Sequence, residues 1–353
     1  MNNIKIISSH RKSIIFFATL FIILIYAGYS QSQSQQSPSM NSTNFNSTIY
    51  NELPPRGFSD KEQKLRNLIV DQEYKTISKI EKYYNKKNKD YLKLQGYEYF
   101  KNNFQFYDYQ RPLTTGSLQD EYVMGIGDVL NFVLQGGRNE NFKKTVNKDG
   151  LLYLDFTTPI SALGRTFGDI KKEVYARGKN SLTETEVYIS VDRIRNINVE
   201  VTGEVNLPGS YNVSSLSSVL DVLLIAGGIK KSGTLRRVKV INGKKVEYID
   251  LYQFLFGLEG DVQVQNILNN KSIIVVSPIG KTVAASGSFL RGGIYEILEN
   301  SDNVKNLTNY AGGFSEPGNF FITRQSVLAK NLKNNVGIAQ KNDKLRDGDV
   351  FFS

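Results

Sequence analysis

Two stretches of this chain have nearly the same pattern, and this repetition limits the possible folds more than any other feature. Residues 199–211 read VEVTGEVNLPGSY, and residues 283–295 read VAASGSFLRGGIY. The pairs that align are Gly203 with Gly287, Val205 with Phe289, Gly209 with Gly293, and Tyr211 with Tyr295. An Ala-Gly-Gly pattern follows each copy, at 226–228 and at 311–313. A spacing of about 84 residues indicates one small domain present twice, which favours binding or assembly over a single enzyme cleft.

The first copy predicts a strand that leads into a turn. Val199 and Val201 alternate with polar residues, which is the period of a half-buried strand. Pro208 and Gly209 then predict a type II turn, because proline fixes φ and glycine accepts the positive φ that follows. The second copy has two consecutive glycines there. They keep the backbone freedom of glycine but lack the fixed φ that proline supplies.

The sequence after this turn predicts a helix and then a hairpin. Apolar residues recur at helical spacing over 216–226, and Gly227 and Gly228 fit the positions beyond the helix end. The serines that are placed to act as N-cap are Ser214, Ser215 and Ser217. Asn242-Gly243, between two valine-containing stretches, predicts two strands joined by a type I′ turn. The glycines that recur in both copies are expected to serve the backbone: Gly203, Gly287, Gly209, Gly293, Gly227, Gly228, Gly312 and Gly313.

The N-terminus has the pattern of a secretory signal peptide. An apolar run at 14–28 follows basic residues and precedes sequence rich in Ser, Gln and Asn. The basic residues are Lys5, Arg11 and Lys12. The run is shorter than the roughly 20 apolar residues of a spanning helix, so we expect a cleaved signal peptide over 1–30. Residues 31–58 contain few apolar side chains and are expected to form a disordered leader.

Composition excludes several classes of enzyme. The chain has no Cys, and its one histidine is His10, inside the predicted signal peptide. Disulfides, thiol catalysis, Fe–S clusters and cysteine-based zinc sites are therefore excluded, and the exported protein would lack the commonest general base. The acidic pairs look like solvated faces of a helix and a strand: Asp169 with Glu173, and Glu184 with Glu186. We expect a protein that is not an enzyme, with no cofactor and no metal.

Positive charge is concentrated in one segment. The formal net charge of +10 over 353 residues is a mild basic bias and does not indicate nucleic-acid binding. The segment 230–245 contains no acidic residue and holds Lys230, Lys231, Arg236, Arg237, Lys239, Lys244 and Lys245. One interpretation is a solvated sheet edge that charge protects from aggregation. The other is a contact surface for an anionic polymer or a membrane.

Residues 59–118 combine a helical pattern with an aromatic segment. Ser59 and Glu62 predict a capping box, and the helical pattern continues to about Tyr84. The aromatic residues that follow are Tyr91, Tyr97, Tyr99, Phe100, Phe104, Phe106, Tyr107 and Tyr109. They indicate either a packing surface or a strip on which sugars stack. Packing is favoured, because Trp is absent and the spacing is irregular.

The region 119–195 has its own series of motifs. A glycine turn with an aspartate precedes an apolar strand, at Tyr122, Gly125, Gly127 and Asp128. Asp149-Gly150 predicts the turn of a hairpin. Thr166 predicts the N-cap of a helix that closes at Gly178.

In this order the motifs resemble the polysaccharide export family, the periplasmic and outer-membrane part of bacterial capsule and exopolysaccharide translocons. The export domain of that family characteristically opens with Y-x-x-G-x-G-D-x-L, which matches residues 122–130. Its V-x-V-x-G-x-V-x-x-P-G-x-Y motif matches residues 199–211 and opens a soluble-ligand-binding β-grasp (SLBB) module. The resemblance covers about residues 119–353. It implies an α+β fold with a helical segment (59–118), a small export domain (119–195) and two tandem β-grasp-like SLBB modules (196–279 and 280–353).

The resemblance also implies partners and a location. It implies a homo-oligomeric ring that handles polysaccharide with an inner-membrane polysaccharide co-polymerase, in the periplasm or outer membrane of a Gram-negative bacterium. This chain departs from the family in having no cysteine to acylate and in carrying Lys271-Ser272 where the closing turn usually has Gly-Asp. Residues 345–350 look like the closing strand of the second module, with no amphipathic pore helix beyond them. A separate outer-membrane partner is therefore expected.

Two functions from different classes remain open. In the first, the protein is a non-catalytic export component, either a ring-forming conduit or an adapter for polysaccharide. In the second, it is a secreted carbohydrate-binding or surface-attachment protein that uses β-grasp modules without transport. The oligomeric state separates the two, because a conduit must close into a ring and a binding protein need not.

The N-terminal pattern makes a direct prediction about export. Mass-spectrometric mapping of the exported protein is expected to find a new N-terminus near Gln31, because a signal peptidase removes the apolar segment. An intact species that begins at Met1 and stays in the cytoplasm would contradict this expectation.

Overall fold

The computed structural model describes residues 59–86, 91–104, 120–258, 268–298, 301–316, 321–326 and 336–353. The predicted signal peptide and leader lie outside the described residues, as do Phe106, Tyr107 and Tyr109 of the aromatic segment. The fold is α+β, as the resemblance implied.

The N-terminal segment contains helices α1 (Asp60–Lys75), α2 (Lys79–Asn85) and α3 (Glu98–Phe104). The predicted capping box is confirmed, because the Ser59 and Glu62 side chains each accept from the other residue's backbone N–H. The prediction of one helix that continues to Tyr84 is wrong. A second capping box, formed by Ser78 and Glu81, starts α2 after a break in the helix. The pattern of apolar residues does not reveal this break, because apolar residues at helical spacing occur on both sides of it.

Aromatic residues of this segment pack inside the protein. Tyr97, Phe100 and Phe104 are buried. The Tyr97 hydroxyl donates to the Gly233 carbonyl oxygen at 2.6 Å, which satisfies the polar end of a buried ring. The packing interpretation is therefore confirmed for these residues, whereas Tyr91 is exposed.

Residues 120–195 form a small sheet covered by one helix. The elements are β1 (Val129–Gly136), β2 (Glu140–Thr145), β3 (Leu151–Leu152), β4 (Ile160–Ser161), α4 (Phe167–Ser181) and β5 (Thr185–Arg193). The antiparallel sheet has the order β2-β1-β5. Leu130 and Phe132 of β1 and Ile170 and Val174 of α4 share a buried core. This core is separate from the one that the rest of the described chain shares.

Two turn predictions in this region need correction. Gly150 has a φ of +76°, and its N–H donates to the Asn147 carbonyl oxygen at 3.0 Å, so the predicted turn exists. The predicted hairpin is wrong, because β3 pairs with β4 rather than with the strand before the turn. Thr166 caps α4 as predicted, but Gly178 does not close it. Gly178 lies within the helix, where a Cβ would contact the Val187 side chain, and α4 continues to Ser181.

Residues 196–353 form two modules with the same topology. The first contains β6 (Asn196–Gly203), β7 (Gly209–Ser214), α5 (Val219–Ile225), β8 (Val238–Asn242), β9 (Lys245–Ile249), α6 (Tyr252–Leu255) and β10 (Ser272–Val276). The second contains β11 (Thr282–Ser286), β12 (Gly293–Glu296), α7 (Val304–Tyr310), β13 (Ile322–Ser326), β14 (Val336–Ala339) and β15 (Asp349–Phe352). The strand orders are β7-β6-β10-β8-β9 and β12-β11-β15-β13-β14, and in each module the last strand runs parallel to the first. The repeat in the sequence is thus a repeated β-grasp-like fold.

Two aligned glycines are required where the parallel strands meet. Gly203 ends β6 with a φ of +90°, and a Cβ there would overlap the Val276 carbonyl oxygen. Gly287 has a φ of +86° and stands in the same relation to the Ser353 carbonyl oxygen. At the other end of the parallel pair, Lys271 has a φ of +69° where the second module has Gly348, so a lysine takes a backbone conformation that glycine adopts without strain.

The helix of the first module starts later than its apolar pattern indicates. Ser218 is the N-cap, in a capping box with Asp221, so the prediction of Ser214, Ser215 or Ser217 is wrong. The predicted C-terminal glycines are confirmed, since Gly227 and Gly228 both have positive φ and their N–H groups donate to Leu224 and Leu223. Gly312 and Gly313 end α7 in the same way.

Two turns of the first module differ from prediction. Gly209 does not have a positive φ and begins β7, so the type II turn is wrong. Its counterpart Gly293 likewise lies within a strand. The predicted hairpin is confirmed, but Asn242 pairs with Lys245, which leaves Gly243 as the first residue of the two-residue turn. Positive φ at Gly243 and not at the residue beside it is the pattern of type II′ rather than type I′.

The N-terminal segment also contacts the second module. The Gln95 N–H donates to the Ile294 carbonyl oxygen at 2.9 Å, and the Ile294 N–H donates to Lys93 at 2.8 Å, which adds a short stretch to the free side of β12. The Tyr84 hydroxyl donates to the Thr282 carbonyl oxygen at 2.6 Å. The segment therefore joins both modules.

The glycine at the end of β6 allows a matched pair of substitutions. We expect Gly203→Ala to lower the free energy of unfolding by about 3 kcal/mol, because the side chain is strained at positive φ and meets a carbonyl oxygen. Gly209→Ala has open space around its Cβ and no positive φ, so we expect its stability to be unchanged or raised by about 0.5 kcal/mol. Urea unfolding followed by circular dichroism measures both, and equal losses would contradict the assignment.

Candidate functional site

The predicted basic residues occupy three different environments. Arg236 is buried, and the Lys231 ammonium lies 3.1 Å from the carboxylate of buried Glu81. Lys245 forms an exposed ion pair with Glu247 at 2.9 Å. The remaining residues are half-buried or exposed: Lys230, Arg237, Lys239 and Lys244. Arg236 and Lys231 hold the fold together, and contact with a polymer through the others stays a prediction.

Arg236 joins the first module to the second. Its Nε and one terminal nitrogen donate to Asp250 Oδ2 at 3.0 and 2.8 Å, and its other terminal nitrogen donates to Asp302 of the second module. The guanidinium carbon lies 4.8 Å from the ring centre of Tyr252 and 4.9 Å from that of Tyr310. Burial lowers the pKa of Arg236, but the bonds and charge of Asp250 outweigh it and raise the pKa above its ordinary value. The guanidinium is thus a permanent charge held between two modules.

Glu296 makes a second contact between the modules. This residue of β12 is buried, and its Oε1 accepts from the Thr234 hydroxyl at 2.6 Å and from the Gly280 N–H at 3.1 Å. Its Oε2 accepts from the Leu235 N–H at 2.8 Å. Burial raises the pKa of Glu296, although these hydrogen bonds oppose the shift. A buried carboxylate that accepts three hydrogen bonds therefore forms part of the junction.

A cleft opens to solvent beside this junction. Its volume is about 420 Å³, and its lining residues are Arg236, Arg237, Tyr248, Asp250 and Leu298. The Arg237 guanidinium carbon lies 5.1 Å from the ring centre of Tyr248, which is itself exposed. The Asp250 carboxylate forms part of the floor and remains 23% exposed. Cationic, aromatic and acidic groups therefore meet at one concave surface.

The motif residues of the domain at 120–195 form a hydrogen-bonded network. Asp128 is buried, and its carboxylate accepts from the Gly125 N–H at 2.7 Å and from the Tyr122 hydroxyl at 2.9 Å. The backbone N–H of Arg195 donates to the same carboxylate at 2.8 Å, and its guanidinium at 2.7 Å. The Tyr122 hydroxyl also lies 3.0 Å from the Ser215 hydroxyl, which connects this domain to the first module.

The N-terminal helices pack closely against the glycines that follow α5. A Cβ at Gly227 would contact Val70 of α1, and a Cβ at Gly228 would contact Phe100 of α3 and the Tyr74 hydroxyl. That hydroxyl donates to the Ile229 carbonyl oxygen at 2.7 Å. Close approach of the helices, together with positive φ, therefore explains why glycines stand here.

Within the described ranges no group of acidic or histidine side chains is placed to hold a metal ion. In the same part of the chain no helix has the length and apolarity needed to cross a membrane.

Sequence reasoning missed the acidic partners at the junction. Asp250 and Asp302 were not recognised, because nothing local indicates that they face a buried arginine 14 and 66 residues away. Glu296 offered a signal, since it interrupts the apolar run Ile294-Tyr295-Glu296-Ile297, which the structure shows to begin in β12. On a strand, the Glu296 side chain would point either to the core face or to the solvent face of the sheet. The apolar run alone does not show which face it takes.

Comparison with known proteins gives two kinds of similarity. A family model described as SLBB domain matches residues 198–250, which lie in the first module. Two curated relatives from Escherichia coli, both called Polysialic acid transport protein KpsD, are each 26% identical to this chain over 212 residues. The alignment covers 59% of this chain and 37% of the relatives, so the chain spans little more than a third of their length. These similarities support a relationship to polysaccharide export proteins.

The raised pKa of Glu296 predicts a pH-dependent stability. The folded protein holds this proton at pH values where the unfolded chain, with the ordinary value of 4.5, has released it. The stability that the protonated form contributes is present below pH 4.5 and is lost as pH rises through the folded pKa. We expect Glu296→Gln, which cannot titrate, to show a flatter stability curve over that range, measured by urea unfolding between about pH 4 and 8.

A matched control for this experiment is Glu200→Gln, which removes an exposed carboxylate from β6. Its curve should run parallel to that of the unsubstituted protein. A Glu296→Gln curve that is also parallel would contradict the role of burial.

Proposed function

We propose that this chain is a non-catalytic component of a polysaccharide export system and that it acts there as a ring-forming conduit or adapter. The observation that carries the proposal is the succession of an export-type domain and two β-grasp-like modules in one chain, where the relatives are named as transport proteins. The second module, which has the strand order of the first, is on this proposal a second SLBB module.

Contacts between successive domains favour a conduit rather than a flexible series of binding modules. The export domain meets the first module through Tyr122 and Ser215, and the first module meets the second through Arg236 and Asp302. Because both contacts use buried or half-buried polar groups, each has a defined geometry. A fixed unit that presents different surfaces at its two sides closes into a ring when the rotation per copy permits it.

The proposal includes a location and partners. We infer an exported protein in the periplasm or at the outer membrane of a Gram-negative bacterium. It would receive polymer from an inner-membrane polysaccharide co-polymerase and pass it to a separate outer-membrane partner. Polysaccharide is the proposed cargo, and the chemistry of its synthesis belongs to other proteins.

A deletion experiment tests the transport function. In the bacterium that encodes this chain, deletion is expected to abolish surface polysaccharide while polymer accumulates inside the cell, because synthesis continues without export. Staining of surface polymer and chromatography of cell extracts measure the two pools, and the intact gene should restore export. Unchanged surface polymer, or loss of polymer from both pools, would contradict the proposal.

Native mass spectrometry of the exported protein tests the ring. We expect one closed oligomer of defined subunit number across a wide range of concentration. Monomer alone at every concentration would contradict the conduit and favour a secreted binding protein. Purified protein should neither cleave nor modify the polymer during prolonged incubation.

A further inference from the structure

The outer face of the first module carries basic and aromatic side chains side by side. Lys239 of β8 pairs directly with Tyr248 of β9, so their side chains share one face of the sheet. Arg237 is two residues before Lys239 and therefore lies on that face as well. The alternate residues Val238 and Val240 are buried on the other face, where α5 packs. The basic and aromatic groups thus face solvent.

The Arg237 guanidinium differs from its neighbour in having no acidic partner within the described part of the chain. The backbone N–H of Arg237 donates to the Thr234 hydroxyl at 3.1 Å, which fixes the residue, while the guanidinium lies over the Tyr248 ring. Arg236, by contrast, is neutralised by Asp250 and Asp302. The planar donor fork of Arg237 therefore faces the cleft, and such a fork matches the two oxygens of a carboxylate.

The floor of the cleft offers a fixed acceptor. Asp250 Oδ1 accepts from the Tyr252 N–H at 3.0 Å, and Oδ2 accepts from two nitrogens of Arg236. An ionised carboxylate has about four acceptor sites, so this group retains capacity for one more donor at its exposed side. Arg236 holds the carboxylate in place. A hydroxyl group of a ligand in the cleft would meet a preoriented acceptor.

The dimensions of the cleft suit a sugar residue. A volume of about 420 Å³ lies at the lower end of the range for small-molecule sites, about 300 to 1,000 Å³. The exposed Tyr248 ring supplies an apolar surface with a polar tip at the side of the cleft. Because the cleft is open to solvent, a sugar residue in the middle of a long polysaccharide can enter it, and no free end of the polymer is needed.

The second module lacks the same groups. The strand registers place Phe321 and Ile338 where the first module has Arg237 and Tyr248. Both are strongly exposed and apolar, at 75% and 70% exposure. The two modules share a fold but present different chemistry on this face. The combination of cation, ring and carboxylate is therefore a property of this position in the first module and not of the fold.

We propose that this cleft binds one acidic sugar residue of a polysaccharide. The sugar carboxylate pairs with the Arg237 guanidinium, the apolar face of the sugar ring lies against Tyr248, and a sugar hydroxyl donates to Asp250. The inference rests on the proposed function, which brings a polysaccharide to the protein, and adds the chemical class of the polymer and the residues that contact it.

Binding measurements with defined oligosaccharides test this site. Isothermal titration calorimetry on the exported protein uses oligogalacturonic acid and oligosialic acid as carboxylated probes, with methyl-esterified oligogalacturonic acid and a neutral dextran oligomer as controls. We expect both acidic probes to bind and both uncharged probes to bind at least about tenfold more weakly, because charge-assisted hydrogen bonds to Arg237 are lost.

Substitutions locate the binding within the protein. We expect Arg237→Gln to weaken binding of the acidic probes about 10- to 100-fold and Tyr248→Ala about tenfold. Lys244→Gln is the matched control, since it also removes one exposed positive charge from this hairpin but lies outside the cleft lining. Its effect should stay within about twofold at physiological salt, where exposed charges are screened. Urea unfolding of each variant confirms that the fold is intact.

Three results would overturn the proposal. The first is absence of binding by either acidic probe. The second is equal weakening by Arg237→Gln and Lys244→Gln, which would show diffuse attraction to a basic surface. The third is binding to vesicles of anionic phospholipid that Arg237→Gln weakens, without binding to the sugars, which would assign the face to a membrane. These measurements use purified protein, so they test sugar binding in the cleft independently of export. Their outcome stands even if the deletion strain contradicts the export function.

Discussion

The relation between the two modules depends on one buried guanidinium. Arg236 belongs to the first module, yet one of its two carboxylate partners, Asp302, belongs to the second. Removal of a single partner from a buried pair costs about 3 to 5 kcal/mol, because it leaves the other charge uncompensated. A rotation that separates Arg236 from Asp302 would break this pair. The interaction thus holds the two modules in one orientation and positions the cleft that Arg236 lines.

Local signals account for much of the fold. Alternation at Val199 and Val201 predicted β6, and the Ser59–Glu62 pattern predicted the start of α1, because both depend on residues close in sequence. The errors have a common cause. Pro208 favours a turn at Gly209, and the local pattern favours a helix end at Gly178. In the structure Gly209 begins β7, and Gly178 lies inside α4, where Val187 packs against it. Tertiary contacts set the role of such residues, and a local pattern does not contain them.

The candidate site was predictable only in part. The segment 230–245 was identified as basic, and the cleft includes Arg237 from it. The sequence does not separate Arg237, which faces solvent, from Arg236, which is buried. Adjacent residues of an extended segment point to opposite faces, but the sequence alone does not show which of the two faces the core. Nor did it predict that Lys231 pairs with Glu81, since α2 is distant in sequence. The charge composition identifies the basic segment 230–245, but the packing of the fold determines which of its side chains are exposed to a ligand.

The attachment of the N-terminal segment to β12 has a consequence for the order of events during biogenesis. The Tyr84 hydroxyl bonds to a carbonyl 198 residues later in the chain, and Ile294 pairs with Gln95 across a comparable distance. Contacts of such long range form slowly, because the intervening loop must close first. The early segment therefore cannot reach its final state until the second module has emerged. The N-terminal segment of such a chain stays open during synthesis, and it takes its final place only when nearly all of the chain has emerged.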